Sequence, residues 1–338
     1  PLALLKRYFQ ALQWGDTLSQ AQEWLTELAY NIPGHLSFGV WLACIFGVLS
    51  AMAVFSYLYS IRSSCMMHAL PLRREGLFLS QYLAGLSFSL LPHLAVALVT
   101  LLVELTLIPA EQWGRVLPSL GLWLLVQSAL SLFFFSFAAF CAMFTGHLLA
   151  LPAFYAILSV LVYVIYALLV ELMQLFFYGY AGSSQIPAPV AWCTPIFMLA
   201  DAADWDIVTT TVEDVTMSTG EWRLTSPSTV AVYAGVGVVL AVLALLVYRR
   251  RHVESAGDVV AIPLVRPIFK YGVSLCSGLC LGMFTCYFFS WSSSASLMVW
   301  VLIWSAIGYF VAEMLLRKSF RVLQAWKGCV AVGALLAL

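Results

Sequence analysis

Charged and hydrogen-bonding side chains are concentrated in one short stretch, residues 60–81, which reads S-I-R-S-S-C-M-M-H-A-L-P-L-R-R-E-G-L-F-L-S-Q. Three arginines, a histidine and a glutamate fall within fourteen positions, a set suited to ion pairs with another protein. Proline cannot continue a preceding helix, because it lacks an N–H, so we expect a bend there. This composition favours a docking surface for a soluble cytoplasmic partner. The residues expected to form that surface are Arg62, His68, Leu70, Pro71, Arg73, Arg74, Glu75 and Phe78.

Catalytic and metal-binding motifs are missing from the sequence. It contains no G-x-x-x-x-G-K-[ST] phosphate loop, no H-E-x-x-H and no G-x-S-x-G. The five histidines are scattered, and the eight cysteines include no C-x-x-C pair. We therefore expect no enzyme activity, metal or cofactor in this chain, and we interpret the cysteines as small apolar helix residues.

The composition is that of a membrane protein. Of 338 residues 63% are hydrophobic and 9% charged, and the mean hydropathy is +0.96. A soluble domain carries about 25% charged residues. The net charge of zero gives no attraction to nucleic acid. We expect an all-α polytopic membrane protein surrounded by membrane lipids.

Apolar runs long enough to span a bilayer, about 20 residues each, divide the chain. The expected spans are 36–60, 82–109, 117–144, 148–180, 229–248, 271–291 and 295–316, with an incomplete run at 328–338.

The positions of lysine and arginine predict the orientation. Twelve of the sixteen lie in the loops 60–81, 249–270 and 317–327, which are therefore expected to be cytoplasmic. Topology alone could explain these charges, although the Leu-Pro-Leu bend favours docking in the first loop. For 249–270, with three consecutive arginines, anchoring to anionic headgroups and contact with a cytoplasmic partner protein are equally supported.

Residues 1–35 and 181–228 are then expected outside. The first should contain an amphipathic helix at the bilayer surface, and its position requires a further membrane span before Pro1. Since the last apolar run is cut short, we also expect sequence beyond it. The second segment is acidic and rich in proline, which predicts short re-entrant helices followed by a β-hairpin.

One expected span carries a polar stripe. Its members fall within about 100° of one another on a helix and should avoid lipid. They would either bond to a neighbouring helix or line a central cavity. The stripe consists of Tyr155, Ser159, Tyr163, Tyr166 and Gln174.

Acidic residues within the expected spans lie near the membrane edges. Glu104, Glu171 and Glu313 are each within about two turns of an edge, where a charge can reach the headgroups. Ion-coupled carriers usually place an acid near the midplane. His93 is the most central titratable candidate, and we interpret it as a packed histidine. We therefore expect the energy for any transport to come from another subunit.

The sequence also resembles a known family. The run F-S-Y-L-Y-S-(x)6-M-H-A-L-P-L-R-R-E-G-L-F-L-S-Q-Y-L at 55–83 is similar to the first cytoplasmic loop of bacterial ABC transporter permeases of the type-2 exporter class, most of all the Ytr-type permeases. Y-R-R-R-H-V-E-S-A-G-D at 248–258 and P-L-V-R-P-I-F-K at 263–270 are similar as well. The resemblance covers most of 36–325.

The resemblance implies a type-2 ABC exporter-like helical bundle with additional C-terminal transmembrane helices, in a bacterial plasma membrane. It implies a second permease, identical or related, and cytoplasmic ABC ATPase subunits that bind ATP and Mg²⁺. It also places the polar stripe beside the substrate path, with an amphipathic or peptide-antibiotic-like substrate. The alternative is an antibiotic-sensing or resistance module that binds a cell-wall-active compound without transporting it.

Overall fold

A computed structural model describes Lys6 and residues 18–69, 71–148, 150–177, 179–180, 185–212, 215–251, 266–288, 294–317, 319, 322 and 326–337. The α-helices are α1 Leu18–Tyr30, α2 Leu36–Phe55, α3 Ile61–His68, α4 Arg74–Leu107, α5 Trp113–Phe144, α6 Ala150–Phe176, α7 Ala188–Trp192, α8 Pro195–Ala202, α9 Pro227–Arg250, α10 Arg266–Phe288, α11 Ser294–Arg317 and α12 Trp326–Ala337. Short 3₁₀ helices cover Ile32–His35, Ser56–Tyr59 and Ala110–Gln112. The strands are β1 Trp205–Val212 and β2 Val215–Leu224.

Seven helices in the described part of the chain are long and apolar enough to cross a membrane, namely α2, α4, α5, α6, α9, α10 and α11. They match the seven complete runs expected from the sequence, so the prediction of a multi-pass helical membrane protein is confirmed. The incomplete run corresponds to α12, which has only 12 residues.

Helix α4 extends beyond the expected span at its first end. It has 34 residues, a length of about 50 Å at 1.5 Å per residue, whereas the hydrocarbon core of a bilayer is about 30 Å thick. Because the helix begins at Arg74, both Arg74 and Glu75 belong to its first turn. A charged first turn is compatible with a helix that protrudes into water.

The chain divides into two compact units. The first comprises the described residues of Pro1–Ser56, Pro71–Phe140 and Pro195–Arg249. The second comprises those of Tyr57–Leu70, Cys141–Thr194 and Arg250–Leu338.

Helix α5 is the most buried of the seven spans, and three helices of the first unit pack closely on its phenylalanines at 133–135. A Cβ atom at Gly237 of α9 would lie 2.9 Å from the Phe133 backbone, and one at Gly47 of α2 would lie 2.9 Å from the Phe134 backbone. A Cβ at Gly85 of α4 would collide with the Phe135 ring. Successive residues point about 100° apart on a helix, so the glycines let three helices approach different sides of α5.

The amphipathic helix expected from the sequence is present as α1, and it packs on the ends of α4 and α5. Its Leu25 and Ala29 are buried together with Ile108 and Val116, while Glu23 on the same helix is exposed. Burial of apolar side chains on one face is what fixes such a helix in place.

The acidic segment at 185–228 contains the short helices and the hairpin that the sequence predicts. Two short helices, α7 and α8, precede an antiparallel hairpin in which Trp205 of β1 pairs with Leu224 of β2. The predicted hairpin is therefore confirmed. Helix α8 packs on α2, where the rings of Phe197 and Trp41 meet edge to face at 6.4 Å.

In the second unit the backbones of α10 and α11 approach each other closely, because small residues lie at their contact. A Cβ at Gly278 would lie 2.8 Å from the Ser305 Cβ, and one at Gly282 would lie 2.8 Å from the Val301 Cα. The Ser274 hydroxyl donates a hydrogen bond of 2.9 Å to the Ser305 carbonyl. Small residues with interhelical hydrogen bonds are typical of helix pairs in lipid.

The predicted orientation can be tested with two cysteines that the structure leaves exposed, Cys193 and Cys65. In intact cells a membrane-impermeant maleimide should label a variant that retains only Cys193 and should not label one that retains only Cys65. After permeabilisation both variants should react, because neither thiol is buried. The reverse pattern in intact cells would show that the orientation is inverted.

Candidate functional site

The predicted docking loop has two structured parts. Residues 61–68 form the short helix α3, on which Arg62 is exposed. Pro71 and Leu72 form an exposed bend, and Arg73 has an extended backbone (φ −64°, ψ 141°) immediately before α4 begins. The backbone of His68 closes α3, and Leu70 lies outside the described residues. The bend expected at the proline is therefore present.

The first turn of α4 is joined to the last turn of α9. Glu75 Oε1 lies 3.1 Å from Arg249 Nη2, and Arg74 Nη1 donates a hydrogen bond of 3.3 Å to the Arg249 carbonyl. The paired side chains are 54% and 55% exposed, and exposed ion pairs contribute about 0–1 kcal/mol to folding stability. Their main effect is to orient the turn. Together with Arg73, the joined ends of α4 and α9 carry three arginines and one glutamate.

A buried group of aromatic rings lies directly below this turn. Phe78 is 3% exposed, and its ring centroid lies 5.8 Å from that of Phe55, 5.9 Å from Tyr82 and 5.5 Å from Tyr248. These rings belong to α2, α4 and α9. Large aromatic side chains dominate packing energy where they are buried, so the turn rests on a rigid base.

Helix α5 joins the same group. The ring of Phe135 lies 5.1 Å from that of Tyr82, and the Tyr82 hydroxyl forms a hydrogen bond of 2.6 Å with the Ser136 hydroxyl. We refer to Phe55, Phe78, Tyr82, Phe135 and Tyr248 as the aromatic floor. It connects the base of α4 to α2, α5 and α9.

Phe78 is thus placed differently from the sequence prediction, which put it on the docking surface. It lies in the core, because the helical face of α4 that contains Leu77, Phe78, Tyr82 and Gly85 is turned towards the neighbouring helices and is buried. Apolar composition gives no signal for this face, because exposed positions of the same helix such as Leu79 are equally apolar. Phe78 supports the docking turn from below.

Arg251 is a structural residue that sequence reasoning missed. Its guanidinium is buried, with Nη1 donating to the carbonyls of Ala142 at 2.9 Å and Met143 at 3.2 Å. Its Nη2 donates to the carbonyls of Thr145 at 2.8 Å and Leu58 at 3.5 Å. Carbonyls at helix ends lack intrahelical partners and carry the negative end of the helix dipole. Arg251 therefore caps two helix ends at once.

The three consecutive arginines consequently have different environments. Arg249 pairs with Glu75, Arg250 is exposed and Arg251 is buried. The expectation that this run faces headgroups or a partner is wrong for Arg251. Adjacent residues at the end of a helix point in different directions, so equal charge does not imply equal exposure.

Glu313 of α11 is buried and paired, although the sequence suggested that it would reach the headgroups. Its carboxylate lies 2.6 Å from Arg317 Nε and 3.3 Å from Lys270 Nζ. The Lys270 ammonium also lies 5.2 Å from the ring centroids of Tyr271 and Tyr309. A desolvated carboxylate needs such partners, and this one joins α10 to α11.

The other two acidic residues of the spans differ from each other. Glu104 is 1% exposed, and neither carboxylate oxygen has a hydrogen-bond partner among the described residues. The expectation that it reaches the headgroups is therefore wrong in this structure. Glu171 is exposed, as a residue near the membrane edge can be.

The polar stripe on α6 is not uniform. Tyr155 and Ser159 are buried, and the Ser159 hydroxyl donates to the Tyr155 carbonyl of the same helix at 2.7 Å. Tyr163 and Tyr166 are half-buried and Gln174 is exposed. Of the residues predicted to line a path, only the last three retain accessible surface in this chain.

The long apolar helices define the chain as a multi-pass α-helical membrane protein. Within the described ranges, no three His, Cys, Asp or Glu side chains are grouped so that they could hold a metal ion. Comparisons with protein families, with curated proteins and with solved structures find no match.

Proposed function

We propose that the chain is the transmembrane permease subunit of an ATP-driven exporter of the type-2 ABC class in a bacterial plasma membrane. A separate cytoplasmic ATPase would bind ATP and Mg²⁺ and dock on the turn at 71–75, and a second permease, identical or related, would complete the transporter. The resemblance of 55–83 to permease loops supports this proposal, as does the lack of a phosphate-binding loop in the sequence.

The observation that carries the proposal is the continuity between the exposed turn and a membrane span. Arg74 and Glu75 lie in the first turn of α4, a helix of 34 residues with Pro92 in its interior. A force applied to this turn would therefore move at least the part of α4 that precedes Pro92, because the backbone hydrogen bonds continue up to the proline. The aromatic floor would transmit the same force to α2, α5 and α9, because its rings pack within 6 Å of one another.

The chemistry of the turn indicates the kind of surface that would dock there. Pro71, Leu72 and Arg73 are exposed, and the pairing of Glu75 with Arg249 leaves a net positive charge. An acidic groove with an apolar floor would complement this surface. Complementary charge speeds association and selects the partner.

The substrate contacts that we propose are Tyr163, Tyr166 and Gln174, the accessible part of the α6 stripe. Phenol and amide groups on a mainly apolar helix would suit an amphipathic molecule. The acidic outer segment, with six acidic residues and one arginine between 181 and 228, would favour a cationic one.

Charge reversal at the turn tests the docking proposal. The double variant Arg73→Glu/Arg74→Glu should insert and fold normally, because both side chains are exposed. The amount of bound ATPase should fall at least about tenfold, since like charges that face each other at a contact cost several kcal/mol. The measurement is the amount of ATPase subunit that co-purifies with the tagged chain in mild detergent.

The matched control is Arg223→Glu, the same charge reversal at an exposed arginine of β2, which should not affect co-purification. If the double variant retains a normal amount of ATPase, Arg73 and Arg74 contribute to membrane topology only. The docking proposal would then be wrong at these residues.

A further inference from the structure

A polar cluster lies within the apolar spans of the first unit. His93 of α4 forms two hydrogen bonds: its Nδ1 lies 2.7 Å from the Ser89 carbonyl, and its Nε2 lies 3.1 Å from Gln127 Nε2 of α5. The Gln127 amide nitrogen also donates to the Gly39 carbonyl of α2 at 3.2 Å. One amide group thus connects three membrane helices.

The hydrogen bonds define the protonation state of the cluster. Since Nδ1 faces a carbonyl, it must carry the proton, and Nε2 must accept from the Gln127 amide. The imidazole is therefore neutral. Gln127 is 1% exposed, and its Oε1 is buried with no hydrogen-bond partner among the described residues. An unpaired acceptor thus lies on the side chain that already contacts His93.

We propose that this cluster is a proton-binding site, in which protonation of His93 rotates the Gln127 amide and releases the Gly39 carbonyl. An imidazolium needs an acceptor opposite each nitrogen. The Ser89 carbonyl already serves Nδ1, and a half-turn of the amide brings Oε1 to Nε2. The same rotation removes the donor from Gly39 and places two oxygen atoms against each other.

Glycine at position 39 is required for this arrangement. A Cβ atom there would collide with the Gln127 side chain, so any larger residue would displace the amide from its position between the helices. Gly39 lies one turn after the start of α2 at Leu36. Protonation therefore loosens this end of α2 from α5.

Charged groups on the three helices are distant from the cluster. Helix α2 has no charged side chain, and Cys44 is its titratable residue. On α4 the nearest charge along the helix is Glu104, 11 residues from His93, or about 16 Å at 1.5 Å per residue. On α5 it is Arg115, 12 residues from Gln127, or about 18 Å. Helix α8 packs on α2 as well, and its charged side chain is the exposed Asp201. Along α2, α4 and α5 the interactions nearest to the His93 proton are thus the hydrogen bonds of the cluster.

Trp123 provides a direct signal for this proton. Its ring centroid lies 6.4 Å from that of His93, close enough for an imidazolium to quench indole fluorescence. In the purified chain, fluorescence should fall in one step as the pH is lowered and His93 takes up its proton. Both Trp123→Phe and His93→Gln should abolish that step, while the other tryptophans continue to emit.

A variant of the acceptor makes the test specific. Gln127→Leu removes Oε1, and because a hydrogen bond to a charged group is about twice as strong as a neutral one, the midpoint of the step should fall by about one pH unit. A step that persists in His93→Gln, or a midpoint that Gln127→Leu leaves unchanged, would overturn the proposal.

If His93→Gln does not fold, the difference between the wild type and Trp123→Phe still decides the question, because that pair leaves the cluster intact. A difference curve without a step would overturn the proposal. These measurements need neither ATPase nor substrate, so their outcome is independent of the proposed transport function.

Discussion

Arg251→Ala is expected to unfold the second unit at a much lower temperature than the wild type, or to prevent stable insertion. The guanidinium serves four carbonyls at the ends of α5 and of the Ser56–Tyr59 helix. Leaving a buried acceptor unsatisfied costs about 1–3 kcal/mol. Since all four residues are buried, we expect a total loss of stability of at least about 3 kcal/mol. Thermal unfolding of the purified chain in detergent measures this loss.

Two variants control for charge and position. Arg250→Ala removes the exposed neighbouring arginine and should leave the unfolding temperature within about 2 °C of the wild type. Arg251→Lys keeps the charge but not the planar fork that reaches several carbonyls, so its stability should be intermediate. Equal unfolding temperatures for Arg250→Ala and Arg251→Ala would show that Arg251 is not a cap.

Phe78→Ala is expected to produce the second large loss of stability, this time in the first unit. Truncation of a buried phenylalanine costs about 3–5 kcal/mol, and Phe78 contacts three other rings of the aromatic floor. The resulting cavity separates the base of α4 from α2 and α9. A lower unfolding temperature and increased hydrogen exchange at the start of α4 would demonstrate this loss.

Leu79→Ala is the matched control, since Leu79 is the next residue of the same helix and is 54% exposed. It should unfold close to the wild-type temperature. Phe78→Leu retains most of the apolar volume and should recover part of the loss. If Phe78→Ala and Leu79→Ala were equally stable, Phe78 would not support the turn as described.

The membrane spans and the hairpin of β1 and β2 could be predicted from sequence because their signals are local. Twenty apolar residues in lipid have to form a helix, since no water is present to satisfy the backbone. The β-branched residues at 207–212 favour a strand wherever they occur. Neither inference requires knowledge of which helices are neighbours.

The buried faces of the spans could not be predicted in the same way. In a soluble protein polar residues mark the outer face of a helix, but lipid-facing positions are as apolar as core positions. Phe78 and the exposed Leu79 are both large apolar residues, so residue type does not distinguish the buried position from the exposed one. Glycines mark some close helix contacts, at Gly47, Gly85 and Gly237, but a Cβ at Gly121 or Gly235 would meet nothing within 4 Å.

The role of Arg251 could not be predicted for a different reason. All four of its partners are carbonyls of residues more than 100 positions earlier in the chain. A carbonyl is present at every residue, so the sequence contains no distinguishing mark of such a partner. The pairing of Glu313 with Lys270 likewise depends on how α10 and α11 pack.

The most direct test of the central claim is site-specific photocrosslinking at the turn before α4. A benzophenone amino acid at position 73, in the full chain within its own membranes, should form an adduct with a protein that contains a nucleotide-binding G-x-x-x-x-G-K-[ST] motif, identified by mass spectrometry. The same probe at position 223 should not form this adduct. If irradiation at position 73 produces only lipid adducts or none, no ATPase docks at this turn and the proposed function is contradicted.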